Sequence, residues 1–376
     1  MQYKLMSTVL AMAAVLLVQQ LQLVAAAPCY PAIFVFGDSL SDTGNGVLSA
    51  NPFFLRTAQP PYGETVPGSP DKRFSDGRLL VDFLATRVGL PLLKPSLDRT
   101  ANFNTGANYA VSGATADRAS KYVTTRFILP LTPLSLDVQV TWHLALKASI
   151  LTSQKPSADA FSNGLYVLEI GGNDYIGALS ATIPTPPAMI ISSFVPAVIS
   201  KIRNATEVLY ASGARKFLYI SITPLGCSPS LLSPNPTLPR DGNGCITDFN
   251  AISNAHGAQL SGLVTDLRSL HLDATFILLD YNGAYIQVLT NSASLGFTNT
   301  LDACCGSALS PNRFNTLTFC SVTSNTITNT LCPNPNVFLN WDGIHFTHKF
   351  NTEIARLTFQ TGTFLNPSNA FATCTP

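Results

Sequence analysis

The stretch FVFGDSLSDTGN, Phe34 to Asn45, ends an apolar run in Gly37, Asp38 and Ser39, and so sets a hydroxyl at the exit of a buried strand. Asp, Ser and Gly are also ordinary turn formers, so taken alone the stretch reads as readily as a polar turn. A serine that attacks a carbonyl needs a base for its proton, a group that orients the base, and fixed donors for the developing oxyanion. Candidates for each lie elsewhere in the chain. In NWDGIHFTHKF, Asp342 and His345 stand three residues apart, close enough for the carboxylate to hold the imidazole's tautomer. No other Asp-x-x-His occurs; His348 lacks an acid at that spacing and is expected on the exposed side of the following helix. In LEIGGNDY an apolar strand runs into Gly171, Gly172, Asn173 and Asp174, which puts an amide where open α/β sheets bind ligands. In NYAVSGAT, Gly113 would let a backbone N–H approach a substrate oxygen without a Cβ in the way.

These segments need strands to hold them. AIFVF (Ala32–Phe36), LYVLEI (Leu165–Ile170), KFLYISI (Lys216–Ile222) and TFILLD (Thr275–Asp280) are continuous apolar runs, as expected of a parallel sheet covered on both faces. A shorter run near Asn108–Val111 predicts one more strand. Between them, SDGRLLVDFLATRVGL predicts a helix capped by Ser75 or Asp76, with Leu79, Leu80, Phe83, Leu84 and Val88 on one face, stopping at Gly89 and Pro91. Further helices are expected from Phe194 to Ser212, with Gly213 just past the end, and from Ile246 to Leu270. Alternating strands and helices point to an α/β, doubly wound architecture. Pro/Gly-rich residues 51–74 and 228–244 read as insertions, and candidate residues spread from Ser39 to His345 must converge, so one domain over 27–376 is expected.

Bulk composition narrows the classes. Only 11% of residues are charged and the formal net charge is +1, which argues against a nucleic-acid binder. Lys4, the mostly apolar run Leu5–Val24 and the small residues Ala25–Ala27 have the layout of a signal peptide, residues 1–26, rather than a membrane anchor. Export fits the even count of 8 cysteines, four of them between Cys304 and Cys332. Cys227 with Cys245 is the favoured local pair and Cys29 with Cys374 could tie the termini, connectivity being left open. No C-x-x-C pair occurs, so no metal is expected. Asn204-Ala205-Thr206 is a sequon, which makes Asn204 a candidate glycan acceptor.

Taken in order, FGDSLSDTGN, NYAVSGAT, GGND and WDGIH resemble the four signature blocks of the GDSL (SGNH) esterase/lipase family. QPPYGETVPGSPDKRFSDGRLLVDFLA, GARKFLYISITPLGCSP and DACCG resemble its secreted plant branch, and EIGGNDY its nodulin/acetylajmaline-esterase-like members, with coverage from about Pro31 to Phe359. The resemblance implies an α/β/α, flavodoxin-like fold with a parallel, about five-stranded sheet of order 2-1-3-4-5. It implies Ser39 as nucleophile, His345 as base and then acid, Asp342 as its orienting group, and an oxyanion hole from the Gly113 N–H, the Asn173 amide and the Ser39 N–H. It implies no cofactor. Departures are small: Ser307 and Ala308 follow Gly306 where many relatives repeat a glycine, and Asn340 and His348 stand where aromatic and acidic residues are common. These bear on substrate choice more than on activity. No Gly-x-Ser-x-Gly elbow occurs, which separates the chain from a typical α/β-hydrolase.

The expected function is hydrolysis of carboxylic esters through an acyl-enzyme, by a secreted monomer without a membrane anchor, extracellular and in the apoplast or cell wall if the source is a plant. The ester could be a lipid, an acylated glycan or a small molecule. An acyltransferase using the same site and a non-catalytic glycan-binding protein are the alternatives. His256 is expected to be structural, His143 and Trp142 to pack in a core or rim, and Asp38 and Asp174 to brace loops.

Overall fold

The computed structural model describes residues 29–66, 72–118, 132–149, 154–181, 183–315, 320 and 330–374. The expected leader, 1–26, lies outside them. Five of the apolar runs become parallel strands: β1 (Ile33–Gly37), β2 (Gly106–Asn108), β3 (Leu165–Glu169), β4 (Lys216–Ile220) and β5 (Thr275–Leu279). A short sixth, β6 (Leu365–Asn366), pairs antiparallel with β5, giving the order β6-β5-β4-β3-β1-β2. The expected 2-1-3-4-5 order is present, with an edge strand added. The β2 pairing sits slightly earlier than expected, because Tyr109 and Val111 leave the ladder and bond singly to Val35 and Gly37 carbonyls.

Side-chain alternation along β1 divides two cores. Phe34 and Phe36 point into one layer, with Tyr166, Leu168 and the apolar faces of α2 (Leu136–Ala148), α3 (Gly172–Leu179), α4 (Val195–Ala211) and α5 (Thr247–Leu270). Ile33 and Val35 point into the other, with α1 (Leu80–Arg87), α6 (Tyr281–Thr290) and α7 (His348–Ala355). Every residue of β1 is buried, and each such large apolar side chain contributes about 1.5–3 kcal/mol. The central strand is therefore held from both faces, and its C-terminal end is a rigid platform.

One expectation about caps is corrected. Neither Ser75 nor Asp76 caps α1; the helix begins after Leu79, whose N–H donates to Asp82 Oδ2 at 2.9 Å. Asp76 instead accepts the His348 N–H at 2.6 Å, at the head of α7. His348 is likewise not on an exposed side. It is half-buried, its Nδ1 accepts the Arg78 N–H at 3.1 Å, and Gly77 makes room, since a Cβ there would lie 2.9 Å from His348 Cβ.

Disulfides join Cys29–Cys374, Cys227–Cys245, Cys304–Cys332 and Cys305–Cys320. The adjacent residues Cys304 and Cys305 also donate their N–H groups to the Asn340 and Trp341 carbonyls, at 3.0 and 2.7 Å. That braces the short strand Phe338–Asn340, which leads into Asp342.

Candidate active site

The turn leaving β1 is locked before it presents any chemistry. Asp42 accepts the N–H groups of Gly44, Asn45 and Gly46 at 2.7–2.8 Å, and both the N–H and Oγ of Ser112. Asn45 Nδ2 donates to the Asn108 and Ala110 carbonyls, and Asn108 Nδ2 returns a bond to the Ser41 carbonyl at 2.6 Å. The Ser39 turn and the segment carrying Gly113 are thus one bonded unit. Gly113 has φ +76°, a left-handed conformation that glycine adopts without strain.

Ser39 Oγ lies 2.7 Å from His345 Nε2, and His345 Nδ1 lies 2.8 Å from both oxygens of Asp342. A carboxylate can only accept, so Nδ1 carries the imidazole hydrogen and Nε2 is left as the acceptor for the serine. Asp342 is fully buried, which by itself would raise its pKa. The charge of protonated His345, the bonds from its side chain and N–H, and the Tyr62 hydroxyl outweigh burial and hold the carboxyl below its ordinary value. The Phe74 ring stacks on the imidazole at 4.3 Å between centroids. Tyr62 in turn packs edge-on against Phe74 and Trp341.

Asn173 sits in the first turn of α3, buried, and its Nδ2 donates to the Ala114 carbonyl at 2.9 Å. That bond places the amide against the residue following Gly113 and leaves its second hydrogen free. Among the described residues, neither the Ser39 N–H nor the Gly113 N–H has an acceptor. A narrow cavity of about 40 Å³ opens beside Ser39 and Asn173, with Leu40, Ile176, Ile344 and Phe346 in its wall; Gly113 is not among its lining residues. The arrangement brings the Ser39 hydroxyl and the Asn173 amide to one small cavity, with His345 and Asp342 in line behind the hydroxyl.

The remaining candidates have structural surroundings. Asp174 braces the segment after Gly113 by accepting the Ala116 and Asp117 N–H groups. His143 is buried among Phe34, Phe36, Tyr109, Phe161 and Tyr166, and burial pulls its pKa down to about 3. His256, with Tyr175 Oη at 2.9 Å, is pulled down by burial to about 4. Asn204 is exposed on α4, while Thr206 of its sequon is buried and bonds the Ile202 carbonyl.

Reading the sequence did not single out Tyr62, Arg73 or Phe74, which lie in or beside the segment taken as an insertion. Arg73 makes a buried two-point pair with Asp82, Nε–Oδ2 and Nη2–Oδ1 both at 2.7 Å, and so fixes the backbone next to Phe74. That segment showed its proline and glycine frequency and its resemblance to the family's plant branch, and neither marks a ring that must meet a histidine far along the chain.

The family described as GDSL-like lipase/acylhydrolase matches residues 33–358. Acetylajmalan esterase 2 of Rauvolfia serpentina is 34% identical over 87% of this chain and 89% of its own. A GDSL esterase/lipase of Arabidopsis thaliana is 35% identical over 87% and 89%, and one of Zea mays 32% identical over 86% and 83%.

Proposed function

The chain belongs to the GDSL-like lipase/acylhydrolase family and is a carboxylic ester hydrolase; on that premise we propose that it works through a covalent serine intermediate. Ser39 Oγ attacks the ester carbonyl carbon while His345 Nε2 takes the hydroxyl proton. The carbonyl oxygen becomes an oxyanion held by the Asn173 amide and the N–H groups of Gly113 and Ser39. His345 passes its proton to the leaving alkoxide, and the C–O bond to the alcohol breaks. Water then attacks the acyl-enzyme with His345 again as base, releasing the acid and restoring Ser39.

What supports this reading is the unbroken chain from Ser39 Oγ through His345 to Asp342, every link under 2.9 Å and buried. The narrowness of the cavity beside Ser39 is what supports a short acyl group in this reading. We place export of a single domain, 27–376, with the same reading: four disulfides suit an oxidising compartment, and no helix among the described residues is long and apolar enough to cross a membrane. The deciding experiment pairs fluorophosphonate labelling with turnover of p-nitrophenyl acetate and a long-chain analogue. Labelling should map to Ser39, the acetate should turn over faster, and Ser39→Ala should abolish both signals. Turnover retained in Ser39→Ala would remove the nucleophile.

A further inference from the structure

Two buried carboxyl groups beneath the serine have no part in that chemistry. Glu169 ends β3 in register with Gly37 of β1, and Asp38 follows Gly37 directly. Both are buried and both line the cavity beside Ser39. The Glu169 carboxyl accepts Ser41 Oγ at 3.0 Å. Asp38 Oδ1 accepts the Leu40 N–H at 3.1 Å. Gly37 keeps the approach open: a Cβ there would lie 2.5 Å from the Glu169 carbonyl oxygen and 3.3 Å from its Oε2. Every one of these donors belongs to the turn that carries Ser39.

The groups facing the pair come from three other elements: His345 from the segment before α7, Asp174 from the first turn of α3, and Tyr281 from the start of α6. Of these, only His345 can carry positive charge, and it is engaged with Ser39 and Asp342. Two carboxylates lining one buried cavity repel each other and are both poorly solvated, a conflict that one retained proton removes.

We propose that Asp38 and Glu169 share one proton and that Glu169 is thereby a positioning residue for the Ser39 turn, which rests on the reading of Ser39 as nucleophile. Burial pushes both carboxyls up, Glu169 to about 7, and the Glu169 charge pushes Asp38 further. When the shared proton leaves to solvent, a second negative charge appears beside the site where the oxyanion must develop. The transition state then meets repulsion that the ground state does not, and turnover falls on the alkaline side.

The test compares kcat/KM of the wild type and Glu169→Gln from about pH 5 to about pH 9, with fluorophosphonate labelling at each pH. Glutamine keeps the shape and can still accept from Ser41 Oγ, but it cannot ionise. The wild type should lose about tenfold by the alkaline end, one unit of titration, while Glu169→Gln stays level there. A shared alkaline limb in both proteins, or a loss in Glu169→Gln that is uniform with pH, would overturn the proposal. Should the variant fail to fold, infrared spectra of the wild type decide: a protonated-carboxyl C=O band present in acid must vanish as pH rises past neutrality, and its absence overturns the pair. Wild-type Ser39 unlabelled at every pH, with that band still present, would sink the nucleophile and the positioning role while leaving the shared proton standing.

Discussion

Tyr62 donates its phenolic hydrogen to Asp342 Oδ2 at 2.8 Å across 280 residues of sequence. The carboxylate bonded to His345 is therefore itself held in place, from a loop far away in sequence. Tyr62→Phe keeps the ring against Phe74 and Trp341 and removes only the donor. A hydrogen bond to a buried charge is worth about 1.5–3 kcal/mol. The variant should unfold at lower temperature and lose about tenfold in kcat, equivalent to 1.4 kcal/mol, with KM little changed. An unaltered kcat would mean that the bonds from His345 alone suffice to hold Asp342.

Asn173→Ala removes one of the three donors proposed for the oxyanion together with the bond to the Ala114 carbonyl. The expected loss is roughly 10²–10³ in kcat, the usual effect of deleting an oxyanion donor. A change carried mainly by KM would assign the amide to substrate binding instead.

Stability should depend on pH in two opposed windows. Asp342 has its pKa depressed by its partners, so its contribution is present above the ordinary carboxyl value and lost as pH falls through the folded-state value. Glu169 is raised to about 7, so its contribution is full below the ordinary carboxyl value and lost as pH rises through neutrality. The unfolding temperature of the wild type should therefore peak in mildly acid solution and decline on both sides. Glu169→Gln should flatten the upper side alone, by on the order of 1–3 kcal/mol between about pH 5 and about pH 8. Parallel curves for the two proteins would contradict that assignment.

The parallel sheet was legible because strands buried on both faces advertise themselves as unbroken apolar runs, and Gly37, Gly171 and Gly213 punctuate them. β6 was not, since a strand formed by Leu365 and Asn366 is too short to show any period. Among the chemical residues, Asp342 and His345 are close in sequence, so their relation could be read as spacing. The link to Ser39 could not, and only resemblance to a family put the three together. Tyr62, Phe74 and Arg73 escaped notice because their partners, Asp342, His345 and Asp82 in that order, are chosen by tertiary packing, to which local pattern is blind. Asp76 misled for a similar reason. It has the chemistry of a helix cap, yet it accepts the first N–H of α7, whose own cap is Thr347, rather than serving the helix next to it in sequence.

During synthesis Ser39, the proposed nucleophile, emerges 306 residues ahead of His345, its proposed base, and Cys29 waits across a separation of 345 residues for Cys374. A growing chain can close β1 against β3 early, yet it holds no competent site until its last segment has been made and folded back. On the proposed mechanism activity arrives all at once, and a polypeptide shortened at its C-terminus before His345 would have every parallel strand and a Ser39 without its proposed base.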